Sequence, residues 1–170
     1  MPEIVKLSRV NQSRIFTGLF YLLSIVIVIM LIKVLGSLIM FFPSVSPDVW
    51  AMSSPQHKSY HSLMKLFLLF ELASRAALLC GGSLVAYALA RKHHYAPARI
   101  TMFLVAYLGT LIVEQSMTYV MIKQQYGQFL QPGWWHPFVT KEFLFVIANC
   151  LVWPPLFVRS SQMKELFMRA

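Results

Sequence analysis

Four apolar runs, each about as long as a bilayer is thick, restrict this chain more than any other feature of its 170 residues. A helix rises about 1.5 Å per residue and a hydrocarbon core is about 30 Å thick, so about 20 apolar residues make one crossing. The first run extends from Ile15 to Phe42, broken by Lys33, and stops at Pro43-Ser44-Val45-Ser46-Pro47. The second runs from Ser62 to Ala90 and ends at Arg91-Lys92-His93-His94, with Pro97 behind it. The third covers Ile100 to Met121, and the fourth follows Gln131-Pro132-Gly133-Trp134-Trp135-His136-Pro137 and spans Phe138 to Val158. Helix is the secondary structure these runs allow, because an open sheet in lipid leaves backbone groups unpaired. The expected fold is all-α, one transmembrane domain over residues 1–170, built as a bundle of four transmembrane helices joined by short loops.

Composition agrees, since 58% of residues are hydrophobic and 12% charged, against about 45–50% apolar in a soluble domain. The formal net charge of +9 does not point to nucleic acid, because the basic residues bracket apolar runs instead of gathering on a solvated surface with stacking aromatics. Their placement predicts topology. Lys6, Arg9 and Arg14 precede the first span, Arg91, Lys92 and Arg99 fill the middle loop, and Arg159, Lys164 and Arg169 form the tail. The opposite loops carry Lys58 and Lys123. The positive-inside rule then puts both termini and the middle loop in the cytoplasm. The first run is far longer than the roughly 7–15-residue core of a signal peptide and no small-x-small site follows, so it is expected to be retained as an anchor. Trp50, Trp134, Trp135 and Trp153 fall near span ends, where interfacial anchoring is the expectation.

Ionisable residues inside the spans are the sharpest candidates for a site, since a charge at the bilayer centre costs at least about 2.5–3.5 kcal/mol and turns towards the bundle interior. Glu71 and Arg75 are four apart and share a helix face. Glu114 on the third span falls at a similar depth and is expected to meet Arg75 between the helices. Lys33 and Glu142, near the outer ends of the first and fourth spans, would close a ring of alternating charge in the outer half. Gln115 and Asn149 add neutral polar groups. Two readings stay open: glue between helices, or a site that binds a polar solute, a lipid head group or a proton. Arg75 is the central residue in both, because a guanidinium in lipid needs acidic partners.

Other chemistry is weakly represented. His57 and His61 have the spacing of two zinc ligands on one helix face but no accompanying H-E-x-x-H glutamate, so no metal is expected. His93-His94 reads as a solvated turn touching anionic lipid, and His136 as an interfacial ring. No histidine lies deep in a span to hold a buried haem, and no cofactor is expected. Cys80 and Cys150 lie within spans and read as small apolar residues rather than a disulfide. Cys80-Gly81-Gly82-Ser83 is expected to let a neighbouring helix approach closely, as are Ser74 and Gly109-Thr110. No Walker loop, nucleophile elbow or catalytic carboxylate pair is present, which points away from an enzyme.

The tail Trp153-Pro154-Pro155-Leu156-Phe157-Val158-Arg159-Ser160-Ser161-Gln162-Met163-Lys164-Glu165-Leu166-Phe167 resembles the C-terminal signature of the four-span bacterial inner-membrane proteins grouped as domain of unknown function 2569. Trp153, Pro155, Phe157, Ser160, Lys164 and Phe167 match that signature in register, while Leu156, Gln162, Met163 and Leu166 depart from it. Arg91-Lys92-His93-His94-Tyr95-Ala96-Pro97 is similar to the family's basic turn before the third span. The resemblance covers nearly the whole chain and implies four spans in a bacterial inner membrane, with no assigned activity. Read without the family, Pro154-Pro155 is expected to break the last turn of the fourth span, leaving Arg159 and Lys164 to reach anionic head groups. The functional expectation is a small non-enzymatic membrane protein acting as an assembly or accessory subunit, as a homo-oligomer or with another membrane protein. The alternative is a binder or carrier of a small solute, lipid or proton at the outer-half charge cluster.

Overall fold

The computed structural model describes residues 2–52, 54–56, 63–126, 140–160 and 167. Within them the chain is all-α: α1 (Pro2–Ser44), a short α2 (Pro47–Ala51), α3 (Met64–Ala90), α4 (Ala96–Tyr126) and α5 (Lys141–Arg159). Four stretches are long and apolar enough to cross a membrane: Thr17–Ser44, Met64–Ala90, Ala96–Met121 and Lys141–Arg159. α1 and α4 continue as helix beyond their apolar runs, α1 at its N-terminal end and α4 at both ends. Backbone helix does not stop where hydrophobicity does, because its hydrogen bonds are local.

Local chemistry explains the ends. α2 begins at Ser46, whose side chain accepts from the Val49 N–H at 3.4 Å, with Pro47 in its first turn. α5 begins at Thr140, whose Oγ1 accepts from the Phe143 N–H at 3.1 Å. Glu142 in its first turn and Arg159 in its last complement the helix dipole. α3 ends in a Schellman motif: the His93 N–H reaches the Ala88 carbonyl and the Lys92 N–H the Leu89 carbonyl, each at 3.0 Å. Lys92 occupies the left-handed position at φ 49°, where glycine is the usual residue. The turn is packed by aromatic stacking of His93 on Tyr95, ring centroids 4.7 Å apart.

Packing runs in sequence order, α1 on α3, α3 on α4 and α4 on α5, the up-and-down arrangement that short loops between long helices favour. One stripe of each helix is buried. On α1 it is Leu23, Ile27, Met30 and Val34, on α3 Leu78, Val85 and Leu89, and on α4 Ile100, Leu104, Tyr107 and Leu111. Gly82 lies in the α3 stripe because a side chain does not fit there: a Cβ would stand 2.6 Å from Leu31 Cδ2 and 3.0 Å from the Phe103 ring. The opposite faces are apolar too, with Met102, Leu151 and Val158 each at least 70% exposed. A helix apolar on all sides with an apolar outer surface is stable in lipid and not in water. The chain is a multi-pass membrane protein.

The fourth span departs from expectation at its end. Pro154 and Pro155 do not break α5, which continues through them to Arg159. Each proline removes one i→i−4 donor, but Trp153 and Phe157, on either side, are 2% and 6% exposed and anchor both halves in the core. Trp153 is therefore a core residue and not an interfacial anchor. Its indole N–H donates to Asn149 Oδ1 at 2.8 Å, and the Asn149 amide donates to the Phe145 carbonyl at 2.7 Å. Phe167 folds back onto Phe157 and Phe20, with centroid separations of 6.3 and 6.0 Å. Trp134, Trp135, His57, His61 and His136 lie outside the described residues, as do residues 161–166 of the tail.

Candidate functional site

The inward stripes change character along their length. Leu89, Val85, Gly82 and Leu78 lead along α3 to Arg75 and Glu71 at helical spacing. Ile100, Leu104, Tyr107 and Leu111 lead along α4 to Glu114, and Trp153, Asn149 and Val146 lead along α5 to Glu142. On these three helices the inward stripe is thus apolar on the side of the middle loop, residues 91–95, and turns ionisable on the opposite side, where Phe41 of α1 and Leu68 of α3 are the buried apolar residues. Arg75 is 15 residues from Ala90 (90 − 75), Glu114 is 18 from Ala96 (114 − 96) and Glu142 is 17 from Arg159 (159 − 142). At 1.5 Å per residue these are depths of about 22, 27 and 26 Å, all in the half of a core about 30 Å thick that lies away from the middle loop.

Arg75 is the hub. Its Nη2 donates to Glu71 Oε1 at 2.5 Å, one helical turn away, as the four-residue spacing predicts. Its Nε faces Glu114 Oε1 across the α3–α4 interface at 4.0 Å. That distance is within ion-pair range and too long for a hydrogen bond. The Nε is itself buried and has no hydrogen-bond partner among the described residues. Glu71, Arg75 and Glu114 keep 19%, 19% and 17% of their side-chain surface uncovered, so the group is only partly enclosed by the bundle.

The expected ring of alternating charge does not close as drawn. Glu142 accepts a hydrogen bond from the Tyr107 hydroxyl at 2.5 Å, and Lys33 places its Nζ 5.4 Å above the Phe145 ring. No salt bridge joins Lys33 to Glu142 among the described residues. The physical reason is competition: the phenol on α4 already satisfies the carboxylate, and the long Lys33 stem lets its ammonium settle on an aromatic face. Lys33 therefore reaches α5 at the level of the cluster but joins it through an aromatic ring. Tyr107 is the member that a search for charges misses. Its signal was positional, since it sits seven residues before Glu114 on the same α4 stripe.

Three carboxylates, one guanidinium and one phenol converge here, with Glu114 in electrostatic reach of Arg75, Glu71 and Glu142. The set offers an N–H without a hydrogen bond facing a carboxylate 4.0 Å away, a geometry that suits a small group able to accept from one and donate to the other. Among the described residues no three His, Cys, Asp or Glu are placed to hold a metal ion. Cys80 and Cys150 are both free thiols. Serine and threonine hydroxyls in the spans bond back to their own helices, as where Thr118 donates to the Glu114 carbonyl at 2.8 Å and Ser74 to the Glu71 carbonyl at 3.1 Å. The polar character of the site thus rests on its ionisable side chains and Tyr107.

No curated protein and no solved structure matches the chain. A family does: the one described as protein of unknown function (DUF2569) matches residues 13–168, which include all four spans and every residue of the polar cluster. The four-span architecture and this match over nearly the full length agree with the resemblance carried by the tail and the basic turn, and the chain belongs to the DUF2569 family.

Proposed function

We propose that this protein binds a small polar solute or a proton at the outer-half cluster centred on Arg75, in a bacterial inner membrane with its termini and middle loop cytoplasmic. The observation that carries this reading is the 4.0 Å gap between Arg75 Nε and Glu114 Oε1, with the buried Nε not hydrogen-bonded among the described residues. Cement between helices is expected to be fully paired, because a buried donor left without an acceptor costs about 1–3 kcal/mol. An opening lined by one guanidinium and three carboxylates fits an occupant that supplies the missing contacts. Orientation rests on the excess of Lys and Arg flanking the first span, in the middle loop and in the tail.

The exposure of the same residues favours a second element of the proposal, assembly. Four spans leave nearly a fifth of Arg75, Glu71 and Glu114 uncovered, and another copy of the chain or a different membrane protein would complete the enclosure. In this reading the chain is an accessory or assembly subunit and contributes a polar site to the complex.

The test is native mass spectrometry of the protein extracted in mild detergent, comparing wild type with Arg75→Gln. The expected result is a folded variant that has lost a small molecule retained by the wild type, in a defined homo-oligomer or complex. A variant that no longer folds assigns the cluster to helix cement. A lone wild-type protomer with no bound species overturns the assembly reading.

A further inference from the structure

A second feature lies on the lipid-facing side of the α3–α4 seam, towards the middle loop. A groove of about 410 Å³ runs between these helices, with small residues Ser74, Ala77 and Gly81 on one wall, Ala106 and Thr110 on the other, and Arg99 among its lining residues. The volume is in the range of about 300–1,000 Å³ typical of sites for small organic ligands. Its walls are apolar in effect, because Ser74 and Thr110 turn their hydroxyls onto the Glu71 and Ala106 carbonyls. From Arg99 to Thr110 is 11 residues (110 − 99), about 16 Å along α4, close to half of a core about 30 Å thick. The groove is therefore about as long as one leaflet is thick, carries a cation at its loop end and reaches past the midplane at Ser74 and Thr110.

We infer that this groove holds one acyl chain of an anionic phospholipid from the leaflet on the middle-loop side, with the phosphate at Arg99. Charge complementarity selects this occupant over a partner helix. Arg99 makes no ion pair among the described residues, and its guanidinium is fixed 4.2 Å from the Tyr95 ring centroid, which leaves its in-plane donors for a phosphate. An apolar slot of single-leaflet length ending in an oriented, uncommitted guanidinium matches an amphiphile with one anionic end. A smaller groove on the other face of α3, about 180 Å³, repeats the design: Phe20, Ile27, Val28 and Leu89 line it and Lys92 is its cation. Lys92 sits there in the left-handed conformation, which costs a non-glycine residue about 1–2 kcal/mol. The middle-loop end of the bundle thus places a cation in each of two apolar grooves, Arg99 from the first turn of α4 and Lys92 from the loop.

The full chain, purified in detergent, is titrated with phosphatidylglycerol or phosphatidylcholine and bound lipid is read by native mass spectrometry. Wild type is expected to retain phosphatidylglycerol preferentially. Arg99→Gln is expected to weaken that retention roughly five- to tenfold and leave phosphatidylcholine unchanged. Ala106→Phe, which fills the slot, is expected to lower both, with Gly81→Leu filling it from the other wall should that variant misfold. Unchanged phosphatidylglycerol retention in Arg99→Gln and in a folded slot-filling variant overturns the proposal. Displacement of the lipid by inorganic phosphate alone also overturns it, since a bare anion site needs no tail. So does a slot-filling variant that loses a homodimer and no lipid, which would assign the groove to a second copy.

Discussion

At the scale of single residues, the polar atoms buried in the bundle divide into those whose partners are fixed within the chain and those left open. Asn149 belongs to the first group. It is 8% exposed, the buried polar side chain of the described core, and it bridges the Phe145 carbonyl and the Trp153 indole. Asn149→Leu keeps the volume and strands the indole N–H, so thermal unfolding in detergent is expected to show a loss of about 1–2 kcal/mol. Trp153→Phe should remove most of that penalty when combined with it, and additive losses would show that the pair is not coupled. Arg75 belongs to the second group, with one nitrogen committed to Glu71 and another facing Glu114 without a bond. This contrast separates a structural polar contact from a candidate site.

At the scale of elements, the α1–α3–α4 contact is set by one glycine. Gly82 has no room for a methyl group between Leu31 and Phe103, whereas a Cβ on Gly81 would meet Phe103 at an ordinary 3.9 Å. Gly82→Ala is expected to destabilise by about 1–3 kcal/mol through overpacking, moderated by the freedom of Leu31 Cδ2 to swing aside. Gly81→Ala is expected to be neutral or slightly stabilising because it raises helix propensity. Equal effects in a melting comparison would contradict the packing described. Sequence alone marked this segment as a close approach but not which glycine makes it, because helical phase relative to two neighbours is a tertiary property. The apolar run lengths made the helices legible, and i,i+4 spacing made Glu71–Arg75 legible. The fate of Pro154-Pro155 was not, since local propensity favours a break and the burial of Trp153 and Phe157 outweighs it. The pairing of Glu142 with Tyr107 was hidden for a similar reason: a neutral phenol competes for a carboxylate as well as a cation does, and charge counting does not register it.

At the scale of the whole molecule, three of the four inward stripes, those of α3, α4 and α5, are apolar towards the middle loop and ionisable towards the other side, α1 stays apolar through Phe41, and the outward surface is apolar with a basic rim at the loop. Such a bundle has an apolar half that holds it together and a polar half that is only partly enclosed. The two proposals rest on different anchoring residues, a solute or proton at Arg75 and Glu114 and a lipid head group at Arg99, so each stands or falls alone. The central claim is that the polar half is open to water and not sealed cement. The most direct test replaces Cys80 and Cys150 by alanine, introduces Glu114→Cys or Leu104→Cys, and treats intact vesicles of each orientation with a membrane-impermeant maleimide. Position 114 is expected to react from the side opposite the middle loop while position 104, fully buried among apolar neighbours, stays unmodified. A cysteine at 114 that reacts only after detergent unfolding would contradict it, and the cluster would then be helix cement.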